Sequence, residues 1–149
     1  MNPFDPKSAL LAKHAQHVVM IHFPIALFLT GAGFDFAARL TKKTTLAAAA
    51  NLNLMAAAVS VVPALATGVA AWQWLLAGRK LKGLLLLHAA LGSASGLLIC
   101  LVGWIHFRQG RDGRSALPAY ILCLELVTAL AVILTGHLGG FVSGINVPG

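Results

Sequence analysis

Residues 18–40 read VVMIHFPIALFLTGAGFDFAARL, and of these positions only Asp35 and Arg39 carry a formal charge. A helix rises 1.5 Å per residue, so about 20 apolar residues cross the roughly 30 Å hydrocarbon core of a bilayer. This stretch is long enough, and its two charges lie toward one end. Outward from it the pattern recurs three times, at Leu46 to Ala77, Leu84 to Phe107 and Leu117 to Leu138, with Glu125 the single charge among them. The other charged residues sit in the N-terminal tail or in the connectors Thr41 to Thr45, Gly78 to Gly83 and Arg108 to Ala116. Links this short force neighbouring helices to run antiparallel. The pattern predicts an all-α membrane protein: one domain over residues 1–149, with four transmembrane helices at about 18–40, 46–77, 84–107 and 117–138 in an up-down-up-down bundle. The second run exceeds a bilayer's need, so it tilts, protrudes or bends at Pro63.

Composition agrees. The 149 residues are 58% hydrophobic and 10% charged, with mean hydropathy +0.84, which excludes a soluble globular domain. The net charge of +7 belongs to loops facing lipid headgroups, so it signals no nucleic-acid partner. Residues 1–16 lack the apolar core and cleavage site of a removable signal peptide. Cys100 and Cys123 both fall inside spans, where a structural disulfide is not expected. No phosphate-binding glycine loop and no nucleophile-base constellation stands out, so an electron-transfer or accessory subunit is expected rather than an enzyme acting alone. No convincing internal repeat is expected.

Membrane orientation rests on a narrow margin. Side A, the face with both termini, carries Lys7, Lys13, Arg79, Lys80 and Lys82; side B carries Arg39, Lys42, Lys43, Arg108, Arg111 and Arg114. The positive-inside rule therefore puts side B in the cytoplasm and the termini in the periplasm of a bacterial inner membrane.

Helix direction sorts the histidines. His14, His17, His22, His88 and His137 map to side A, and His106 alone to side B. His22 and His88 are each the fifth residue of their spans, hence at one depth, on helices diagonal in a square bundle. Two imidazoles in that relation suit the axial positions of haem b. His88, Gly92, Ser95 and Gly96 share a helical stripe, where small residues admit a flat porphyrin or a packed helix. A transition metal held by His17, His22, His88 and His137 is the alternative ligand set. Pro24 frees the Met20 carbonyl, an acceptor able to orient His22. Trp72 and Trp74 read as interfacial belt residues. His14, His17 and His106, near headgroups, read as solvated.

Side B holds the other polar tier. Asp35 and Arg39, spaced i, i+4, are expected to pair on one helix face. Asn51 and Asn53 enter the second span, and Glu125 has no partner on its own helix, so it must find one across the bundle or be neutral.

The run His22-Phe23-Pro24-Ile25-Ala26-Leu27, with Asp35, Gly68, Trp72, His88-Ala89-Ala90 and Leu138-Gly139-Gly140, resembles the bacterial integral-membrane family catalogued as domain of unknown function 2231. The likeness spans nearly the whole chain. It implies a four-helix inner-membrane protein and marks His22, Pro24, Asp35 and His88 as its most characteristic positions. The tail departs from the family pattern: Phe141 to Val147 is short, with Asn146 where a final glycine is usual.

Three functional readings follow. The first is a b-type haem electron-transfer subunit with His22 and His88 as axial ligands, near Gly92 and Gly96, docking a redox partner protein or a larger membrane complex. The second is a transition-metal-binding membrane protein. The third is a cofactor-free accessory or scaffold subunit, its histidines bonding helix to helix. In each, the lipid bilayer is the constant partner.

Overall fold

The computed structural model describes residues 13–75, 80–112 and 118–143, which form four helices: α1 (Lys13–Thr41), α2 (Thr44–Leu75), α3 (Gly83–Asp112) and α4 (Tyr120–Val142). No strand occurs among the described residues. Each helix is long and apolar enough to span a bilayer. Lys7, Arg79, Arg114 and the tail beyond Ser143 lie outside the described residues, as does the side chain of His14.

α1 packs along α2, α2 on α3 and α3 on α4, and α4 closes the ring against α1, so α1 and α3 are diagonal. The α1–α2 reversal takes two residues. Lys42 makes it with φ of 59°, its N–H donating to the Ala38 carbonyl at 2.8 Å. Both helices run through their prolines: Pro24 is buried in α1 and Pro63 lies on the outside of α2.

The core is a narrow apolar column of Phe28, Leu54, Ala57, Val61, Ile99, Val102 and Val132. It is narrow because α2 presents small residues at seven-residue intervals, Ala50, Ala57, Ala64 and Ala71, all buried. Small residues let helix backbones approach in a lipid milieu that offers no hydrophobic drive to associate. The approach is closest at Gly103, where an added Cβ would stand 2.6 Å from Ala58 Cβ and 3.0 Å from the Leu54 carbonyl oxygen. Outward, the surface is apolar: Val59 is 74% exposed, Leu97 72% and Leu126 62%. In water such a face would be an aggregation site; in a bilayer it is the lipid contact. Toward side B, Arg108 lies 5.6 Å over the Trp104 ring, an aromatic and a cation placed together as at a headgroup boundary.

Candidate metal centre

The buried stripe of each helix determines which polar residues enter the core. In α1 the stripe is Phe28, Gly31, Asp35 and Ala38; in α3 it is Ser95, Ile99, Val102 and His106; in α4 it is Ile121, Glu125, Thr128 and Val132. These spacings of three and four residues are those of one helix face. Asp35, His106 and Glu125 thus continue apolar rows inward and meet near the side B end of the bundle, 7%, 4% and 2% exposed.

Arg39 Nε donates to Asp35 Oδ2 at 2.8 Å, the expected i, i+4 pair. Glu125 finds its partner across the bundle in His106, whose Nε2 lies 2.9 Å from Glu125 Oε1. Asp35, His106 and Glu125 each offer a ligand atom, and these atoms lie within 4.8 Å of one another. The second Glu125 oxygen, Oε2, is buried with no hydrogen-bond partner among the described residues. Thr128, one turn on, cannot supply one, since its hydroxyl donates to the Leu124 carbonyl at 2.7 Å. A carboxylate oxygen left without a donor in so dry a place is costly, and a cation would satisfy it.

The reading of His106 as a solvated interfacial residue is corrected by its burial against α4. Its signal was present in the sequence as the stripe Ser95, Ile99, Val102, His106; proximity to Arg108 masked it, because a charge beside a histidine says nothing about which face the ring takes.

The side A histidines are placed differently. His17 Nδ1 lies 3.2 Å from the Ala64 carbonyl and 3.3 Å from Thr67 Oγ1 of α2. His88 Nδ1 donates to the Thr135 carbonyl of α4 at 3.2 Å. His22 is exposed and donates from Nδ1 to the Val18 carbonyl of its own helix. His137, also exposed, stands edge-on to Phe141 at 5.0 Å. Among the described residues these four are not gathered into a group of ligating atoms; Asp35, His106 and Glu125 are. Gly92 and Gly96 mark helix contacts: an added Cβ would stand 3.4 Å from Thr135 Cγ2 at the first and 3.1 Å from Leu65 Cδ1 at the second.

A family profile described as "Predicted membrane protein (DUF2231)" matches residues 13–144. The chain belongs to this family. The DUF2231 match takes in all four helices and with them Asp35, His106 and Glu125, and its description places the family in the membrane without assigning a reaction. No curated protein and no solved structure matches the chain.

Proposed function

We propose that this membrane protein binds a divalent first-row transition-metal ion at Asp35, His106 and Glu125. The observation that carries the reading is the three buried ligand atoms within 4.8 Å, one of whose residues keeps an unpartnered oxygen. Ligands about 2.1 Å from one ion are at most about 4.2 Å apart, so a pair at the 4.8 Å limit needs to close by at least about 0.6 Å. Two carboxylates and an imidazole suit Zn²⁺, Fe²⁺ or Mn²⁺, and no thiolate is at hand to favour Cu⁺: Cys100 is turned to the Ala58 carbonyl and Cys123 is exposed. Arg39 is a resident cation beside the site, its Nε donating to Asp35 Oδ2 at 2.8 Å. With side B cytoplasmic, the centre lies nearer the cytoplasmic face.

Protein purified in detergent, stripped with chelator and reloaded, is expected to retain about one ion per chain by elemental analysis. Glu125→Gln is expected to abolish retention. Wild-type protein that holds no stoichiometric ion overturns the reading.

A second reading keeps haem b at His22 and His88. It is favoured by their Nδ1 atoms, each committed to a backbone carbonyl, the arrangement that orients an imidazole for ligation through Nε2. A reduced-minus-oxidised absorption spectrum of the same sample decides it: haem bands lost on His88→Ala support this reading, and their absence from the wild type removes it.

A further inference from the structure

From His17 to His88 and from Gly68 to Gly139 the step along the chain is the same, 71 residues, and the two histidines do the same thing. His17 of α1 presses into α2 where an added Gly68 Cβ would stand 2.9 Å from its Cε1; His88 of α3 presses into α4 where an added Gly139 Cβ would stand 3.1 Å from its Cε1. Each ring bonds the backbone carbonyl four residues before that glycine, Ala64 in one case and Thr135 in the other. The contacts between hairpins obey the same step. A Cβ added at Gly136 of α4 would stand 3.9 Å from Ile25 Cδ1 of α1, and at the residues 71 positions back and on, a Cβ added at Gly96 of α3 would stand 3.1 Å from Leu65 Cδ1 of α2. Burial follows: Pro24, Phe28 and Asp35 correspond to Ser95, Ile99 and His106, and Leu54, Ala57 and Val61 to Glu125, Thr128 and Val132, every one of them buried. Shifted by this step, α1 runs from 84 to 112, against the observed Gly83–Asp112.

We infer that the chain is two copies of one helical hairpin, α1–α2 and α3–α4, and that the polar centre is built where the copies meet, with Asp35 and His106 as the same position in each. Each hairpin has two spans, so both copies enter the membrane in the same sense and are related by a pseudo-two-fold axis along its normal. Equivalent residues that point at a two-fold axis face one another across it. That accounts for the closeness of Asp35 and His106, which belong to diagonal helices. The copies have diverged in what surrounds the axis. The first keeps Asp35 with Arg39, whose counterpart is Gly110; the second keeps His106 with Glu125, whose counterpart is Leu54, wholly buried. Resting on the metal reading, the ligand set then draws on both copies, and its positions 35 and 106 are interchangeable.

Two measurements on the full chain test this. In the first, the exchanged variant Asp35→His/His106→Asp keeps the ligand set and is expected to hold an ion within about tenfold of wild-type affinity, while Asp35→Asn and His106→Asn each lose at least that much. An exchanged variant as weak as the single ones, with wild type binding normally, overturns the interchangeability. In the second, which needs no ion and leaves the charged residues intact, spin labels are placed on cysteine-substituted pairs 59/97 and 26/130 after Cys100 and Cys123 are replaced by alanine. These exposed pairs are mates under the 71-residue step. Equal distances to within about half a helix spacing support the duplication, and a difference of a full spacing, about 8–10 Å, overturns it whether or not the metal reading survives.

Discussion

Removing the His106 imidazole leaves Glu125 buried at 2% exposure without the ring nitrogen that stands 2.9 Å from its Oε1. Deleting one member of a buried pair is costly because the other is left desolvated, so His106→Ala is expected to lower stability in detergent by about 3 kcal/mol. Glu125→Gln retains shape and a carbonyl oxygen for the His106 N–H, and is expected to cost about 1 kcal/mol. Thermal unfolding of both in matched detergent checks the order; equal losses would show that the pair is not what secures this end of the bundle. At this scale the sequence told only part. The i, i+4 pair of Asp35 and Arg39 was legible, because both residues lie on one helix and geometry alone brings them together. The His106 to Glu125 contact was not, because it depends on how two helices are rotated about their axes.

The helices themselves were read closely from charge spacing, with ends that extend past the apolar runs: α1 begins at Lys13 and α3 continues to Asp112. Polar flanks keep helical hydrogen bonds where water or headgroups solvate the side chains, so the helix outlasts the hydrophobic stretch. The tight α1–α2 link carries a cost at Lys42, whose φ of 59° a side chain with a Cβ adopts unwillingly. Lys42→Gly is expected to raise stability by about 1 kcal/mol, checked by thermal unfolding. A loss instead would mean that the lysine's anchoring to headgroups outweighs its backbone. The His88, Gly92, Ser95, Gly96 stripe was also legible as a close-packed face, and its occupants are side chains of α2 and α4.

Over the whole molecule, the exposed residues identify the solvent. Val59 stands near the middle of α2 and is 74% exposed. On a water-facing surface Val59→Arg would be neutral or would aid solubility. At the centre of a lipid-facing helix a charge costs about 2.5–3.5 kcal/mol of insertion free energy, so the variant is expected to reduce membrane-inserted protein sharply, measured by carbonate-resistant fractionation. Unchanged insertion would place this face against protein or water instead.

By itself the sequence determined that the chain forms four helices long and apolar enough to cross a membrane. That depends on the free energy of moving residues between water and hydrocarbon, which acts on each segment nearly independently of the others. Which polar residues of different helices meet was decided by the tertiary structure alone. Helix direction sorted five histidines to side A and drew attention there, yet helix rotation and the pairing of hairpins put Asp35, His106 and Glu125 together at the opposite end. Residue identity did not disclose the duplicated hairpin either, because packing retains size and burial at equivalent positions while letting Leu54 stand opposite Glu125, and Asp35 opposite His106.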